Sequence, residues 1–244
     1  CVNTLITTYH QQDQHTLYEL LHTPNDKGES ILHIAATYNY TRLIIPLINA
    51  GANVTQLDTQ GKSALWLAAY HGDTPSLEAL LKATQHPTHI KNAGIINSPG
   101  LNGLTALHVT TFTDQHECLA RLIQYGADPL KLTAKKETVM GLAVLYNAYN
   151  CVNTLITLYQ QIDRNTLLKL LHTPNDKGES VLHVAATNNY AALICPLINF
   201  GANVGQLNAQ GKSALWIAAS LGNADALRAL TDSYTKLNNL SIKY

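Results

Sequence analysis

Between Asn25 and Leu57 the apolar positions fall into two short groups separated by polar turns. Leu32, Ala35 and Ala36 form one face of a predicted helix that Ser30 can cap. Leu43, Ile44, Leu47 and Ile48 recur at i, i+1, i+4 and i+5, which predicts a second helix with one buried stripe. Asn-Asp-Lys-Gly28 reads as a turn before the first helix, and Asn39, like Gly72 and Gly222, turns the chain between the two. Gly51 predicts a left-handed cap at the end of the second. Pro46 and Pro196 fall inside second helices and are expected to shorten or bend them, because each removes a backbone donor.

This turn-helix-turn-helix pattern recurs along the whole chain. Ser30-Ile-Leu-His33, Ser63-Ala-Leu-Trp66, Thr105-Ala-Leu-His108, Thr138-Val-Met-Gly141, Ser180-Val-Leu-His183 and Ser213-Ala-Leu-Trp216 are six versions of one start, spaced by 33, 42, 33, 42 and 33 residues. Residues Cys1 to Lys82 reappear 150 positions later at Cys151 to Asp232, so a block of four repeats was duplicated together. A period near 33 predicts an all-α solenoid in which single repeats cannot bury a core alone. Full repeats are expected at 25–57, 58–99, 100–132, 133–174, 175–207 and 208–244, with a truncated repeat at 1–24. Cys1 matches Cys151, inside a second helix, so the chain is expected to be a piece of a longer protein.

Alternate repeats carry nine extra residues after the second helix. In one copy Asp163 can cap a short added helix bearing Leu167, Leu168, Leu170 and Leu171. Lengthened second helices or a third short helix are therefore expected on alternate repeats. The repeat beginning at Thr138 is the most divergent and is expected to pack less well. Trp66 and Trp216, 150 residues apart at the starts of first helices, are expected to pack between repeats.

Charged residues make up 13% of the chain, against roughly 25% on average, and formal net charge is zero. No sequence-wide basic field attracts nucleic acid. No run approaches the roughly 20 apolar residues of a membrane span, so no membrane insertion is expected. Cys1, Cys118 and Cys151 share one repeat slot, and Cys195 lies two residues past it. Stacked helices sit about 8–10 Å apart, too far for a disulfide. The thiols are expected to be packed and reduced, in a reducing, cytoplasmic compartment.

Eleven histidines raise a metal question, but His10, His15, His22, His71, His86, His89, His116 and His172 form no recognised ligand spacing. Gly-Lys-Ser at 61–63 and 211–213 matches the end of a phosphate loop, yet Gln56 and Gln206 stand where that loop needs Gly. No Gly-x-Ser-x-Gly is present. No catalytic residue, cofactor or metal is expected.

The starts quoted above, with Gly51-Ala-Asn53, Gly126-Ala-Asp128 and Gly201-Ala-Asn203 as closing tripeptides, resemble the ankyrin repeat over essentially the whole chain. The resemblance implies that His33, His108 and His183 hydrogen-bond neighbouring backbone. The family's helix-starting Pro is replaced by Ile, Ala or Val in every copy. The Asn-, Ile- and Thr-rich style is similar to that of ankyrin proteins of intracellular bacteria, often delivered into a host cytosol as effectors.

The resemblance also implies a protein-binding scaffold whose partner, of unknown identity, docks on turn tips and first helices. That face holds Lys27, Glu29, Tyr38, Lys62, Tyr70, His71, Asn102, Phe112, Thr113, Lys135, Glu137, Tyr146, Lys177 and Asn188. Tyr38, Tyr70, Phe112 and Tyr146 fall at or beside one slot in four successive repeats, and aromatic residues are enriched as interface anchors. An alternative is that the repeats aim an enzyme or toxin whose catalytic domain lies outside this chain.

Overall fold

A computed structural model describes residues 14–84 and 94–241. The expected locations of Cys1, His10, His86 and His89 lie outside these. Two compact units are present, Cys1–Thr110 with Glu117–Asp128, and Thr111–His116 with Pro129–Tyr244.

The first unit contains α1 (Gln14–His22), α2 (Ile31–Thr37), α3 (Thr41–Asn49), α4 (Ala64–His71), α5 (Thr74–Thr84), α6 (Ala106–Val109) and α7 (His116–Gln124), with 3-10 turns at Ile95–Asn97 and Leu101–Gly103. First helices stack on first helices, α2 on α4 and α4 on α6, while second helix α3 packs on α5. The second unit contains α8 (Val139–Leu145), α9 (Tyr149–Ile162), α10 (Arg164–His172), α11 (Val181–Thr187), α12 (Ala191–Asn199), α13 (Ala214–Leu221) and α14 (Ala224–Ser241). Here too α11 packs on α8 and α13, and α12 on α9 and α14. Among the described residues there are no strands, only isolated bridges such as Leu57 with Ser63.

The predicted local signals are realised. Ser30, Thr105 and Ser180 each form a capping box with the histidine three residues on. The residue between paired helices is left-handed in every repeat: Asn39, Gly72, Asp114, Asn147, Asn189 and Gly222 have φ of 54–72°. Asn and Asp tolerate this region better than other side chains. Two of them also cap the next repeat. Asp114 accepts the Cys151 and Asn150 backbone N–H groups, at 2.8 and 3.2 Å, and Asn189 accepts that of Ala226 at 2.9 Å.

The extra residues in the repeat at 133–174 do both things expected of them. They extend the second helix to the 14 residues of α9 and add α10, whose N-cap Asp163 accepts the Asn165 N–H. Leu167, Leu170 and Leu171 are buried there. In the other copy, Ile95 and Ile96 are buried in a 3-10 turn.

Pro46 and Pro196 each sit sixth in α3 and α12 and leave the carbonyl four residues back without its helical donor; both helices run nine residues. Two expectations need correction. Trp66 packs between repeats, 7% exposed, but Trp216 is 50% exposed. Among the described residues no hairpin follows Trp216 of the kind that places Leu104 beside Trp66. Finally, the divergent repeat is closed: Val139, Met140, Leu142, Ala143 and Val144 are all buried in α8. A groove remains beside Gly141.

Candidate functional site

The hairpin tips are held rigid by a recurring side-chain bond. Asn25 Oδ1 accepts the Lys27 and Glu29 N–H groups, and Asn175 Oδ1 those of Lys177 and Glu179. Thr133 Oγ1 does the same for Lys135 and Glu137, at 3.3 and 3.2 Å. Adjacent tips are tied by backbone: Thr59 N–H donates to Lys27 at 3.0 Å, and Asp176 N–H to Lys135 at 2.9 Å. At the apex five repeats place a left-handed glycine, whereas the sixth has Lys136 at φ 60°.

Below five of the six tips the sequence places a ring. Ser30 N–H donates to His33 Nδ1, so Nε2 carries the proton and donates to the Lys62 carbonyl at 2.9 Å. His183 repeats this with Ser180 and the Lys212 carbonyl at 3.0 Å. Burial holds the His183 pKa below its ordinary range. In the first long repeat Trp66 substitutes: its indole N–H donates to the Leu104 carbonyl at 3.0 Å. Each acceptor carbonyl also receives an N–H from its own turn, such as Gly100 for Leu104.

Gly141 occupies the same slot with no ring. Its backbone is placed as in the other repeats, since Gly141 N–H donates to Thr138 Oγ1 at 3.1 Å, as Trp66 N–H does to Ser63 Oγ at 3.1 Å. The groove beside it has a volume of about 390 Å³. Leu145, Val181 and Val184 supply apolar wall, and Lys135, Glu137, Asp176, Lys177, Glu179 and Asn188 supply polar rim.

Four of the residues expected to bind a partner, Lys135, Glu137, Lys177 and Asn188, thus meet around one groove. Phe112 and Tyr146 also meet, ring centroids 4.6 Å apart. The remainder sit on their own repeats. Tyr38 stacks on Tyr40 at 5.8 Å, and Tyr70 on Trp66 at 5.5 Å with His71 edge-on at 5.2 Å. Lys62 Nζ lies 5.1 Å over the Trp66 ring. Lys27, Asn102 and Thr113 are exposed and Glu29 half-buried. Tyr70 is therefore partly committed to structure, as a cover for Trp66. Sequence reasoning missed the groove itself. Its signal was the Gly in Thr138-Val-Met-Gly141, where every other copy has His or Trp.

Stacked helix pairs with rigid tips, a ring slot and a rim of side chains define the helical-repeat scaffolds that bind proteins on their surface. The family description "Ankyrin repeats (3 copies)" matches residues 2–91, 86–166 and 158–240, and the chain belongs to the ankyrin-repeat family. It is 29% identical over 212 residues to the B-cell lymphoma 3 protein homolog of Mus musculus, covering 84% of this chain and 43% of that protein. It is 30% identical over 186 residues to the nuclear factor NF-kappa-B p105 subunit of Gallus gallus, covering 75% of this chain and 17% of that protein. The chain thus spans less than half the length of these relatives. The crystal structure of the ankyrin repeat domain of Bcl-3, described as a unique member of the IkappaB protein family, superposes with a TM-score of 0.75. Identity there is 26%, over 93% of this chain and 92% of that one. The ankyrin fold is a non-catalytic interaction scaffold, and this chain is a protein-interaction module of that type. No helix among the described residues is long and apolar enough to cross a membrane.

Proposed function

We propose that this module binds a partner protein with its hairpin tips and first helices, and that the groove beside Gly141 is the centre of the contact. The observation that carries this reading is the convergence of Lys135, Glu137, Lys177 and Asn188 around apolar Leu145, Val181 and Val184. An apolar floor with a mixed-charge rim is the usual anatomy of an interface: the floor holds and the rim steers. The chain works as a scaffold and not as an enzyme. Cys118 and Cys151, packed in the core as reduced thiols, suit a reducing compartment such as the cytosol.

As a bacterial effector the module would dock on a host protein. That part of the reading rests on the Asn-rich style and the Leu-His-Thr-Pro-Asn-Asp-Lys-Gly-Glu-Ser run, while the relatives named above are animal proteins. The alternative, a region that aims an enzyme or toxin, places the same groove in the same role.

Peptides selected against the chain from a displayed random library test the site. Leu145→Ala and Asn188→Ala should each weaken the selected binders by about 1–3 kcal/mol, with circular dichroism unchanged. Binders indifferent to both, yet lost on Arg42→Ala or Arg121→Ala, would place the site on the second helices.

A further inference from the structure

We propose that the groove at Gly141 is a socket for a tryptophan side chain of the partner protein, whose indole N–H donates to the Glu179 carbonyl. The proposal rests on the interaction reading above and names what enters its central site.

The chain itself shows what this slot holds when filled. Short repeats use His33, His108 and His183; the long repeat at 58–99 uses Trp66, and its duplicate from 208 onward uses Trp216. Gly141 belongs to a long repeat, so the ring it lacks is an indole. Trp66 reaches a carbonyl 38 positions on, at Leu104, and the same offset from Gly141 leads to Glu179. Leu104 accepts two donors, the indole and Gly100 N–H at 2.9 Å. Among the described backbone bonds Glu179 accepts one, Asn175 N–H at 3.0 Å, so one lone pair is left for a visiting donor.

The neighbours have not collapsed into the space. A Cβ built on Gly141 meets only Thr138 Oγ1 within 4 Å, at 3.6 Å. The groove lies open between α8 and α11 instead. Burying an indole against Leu145, Val181 and Val184 is favourable, and tryptophan is prominent among residues that dominate binding energy. One feature differs from the filled slots. Lys62 and Lys212 lie 5.1 and 4.0 Å over Trp66 and Trp216, whereas the matching position here is Glu137. A docked indole therefore meets a carboxylate where its counterparts meet an ammonium.

N-acetyl-L-tryptophanamide titrated into the 15N-labelled full chain tests this by amide shifts. Saturable shifts are expected at Gly141 and Glu179. The 1-methylindole analogue, which has no N–H, should bind roughly 2- to 13-fold more weakly, the fold-change of one hydrogen bond worth about 0.5–1.5 kcal/mol. Glu137→Lys should tighten binding about two- to fivefold by restoring the cation over the ring. Gly141→Trp, folded by circular dichroism, should abolish it. Absence of shifts at Gly141 and Glu179 up to the solubility limit, or equal binding of the methylated analogue, overturns the proposal. That result with displayed-peptide binders still weakened by Leu145→Ala would leave the interaction reading standing. Binders indifferent to Leu145→Ala and Asn188→Ala would remove that reading as well.

Discussion

Trp66 and Leu104, 38 positions apart, are joined by an indole N–H to carbonyl hydrogen bond of 3.0 Å. The bond ties a first helix to the hairpin of the following repeat and keeps Trp66 almost wholly buried. Trp216, its copy after duplication, is half exposed, with Lys212 over its ring. Trp66→Ala should therefore cost on the order of 3 kcal/mol, and Trp216→Ala well under half of that. Urea denaturation of the two variants checks the difference; equal losses would mean that Trp216 is covered in solution.

Gly141 is a helix-interior glycine without positive φ and with room for a Cβ. Gly141→Ala should stabilise the protein by about 0.4–1 kcal/mol, by restricting the unfolded chain. Gly178→Ala should do the reverse. Gly178 has φ 74°, and its Cβ would stand 2.7 Å from the Ala209 nitrogen. Thermal melts of both variants decide the matter, and a destabilised Gly141→Ala would show that the groove is narrower than described.

Lys136 holds a left-handed conformation at the tip slot that glycine fills in the five other repeats. A non-glycine residue there costs about 1–2 kcal/mol. Lys136→Gly should recover about 1 kcal/mol of this after the entropy cost of glycine. An unchanged urea midpoint would mean that the Lys136 side chain contributes a compensating contact.

Asp114 accepts N–H groups of Asn150 and Cys151, the first turn of α9. Asp114→Ala removes this cap and should cost about 0.5–2 kcal/mol. Asp114→Asn should recover most of it, because Asn189 caps Ala226 in the same way. Amide exchange read at Cys151 distinguishes a lost cap from a general loosening.

His183 is folded as a neutral ring, its pKa lowered from 6.5, chiefly by burial. On acidification the unfolded chain takes up this proton first. The stability due to His183 is therefore complete above its unfolded pKa and is lost as pH falls toward the folded one. The gap in urea midpoint between the parent and His183→Gln should shrink between about pH 8 and about pH 5. A constant gap would contradict the neutral, acceptor role of Nδ1.

Much of this fold was legible because its signals are local. Ser30, Asn39 and Gly51 act on backbone within a few residues, so their repetition announces both helix starts and turns. Asp163 announced α10 for the same reason. What stayed hidden depends on contacts about 30 to 40 positions apart. The stacking of Tyr70 on Trp66, four positions back, is the exception: its spacing is local, yet the sequence alone presents Tyr70 as an interface anchor. Trp216 repeats the sequence of Trp66 without its environment. The groove was invisible because an absent ring makes a cavity only where neighbours fail to close over it, and no local pattern reports that.

The central claim is that tips and first helices of the second unit receive a partner protein. Hydrogen exchange of the chain with and without a bound partner tests this most directly. Protection is expected to rise at residues 135–146 and 175–188, around the groove, with α9 and α12 unchanged. Protection gained on α9 and α12, with the Gly141 groove exchanging as before, would contradict the account.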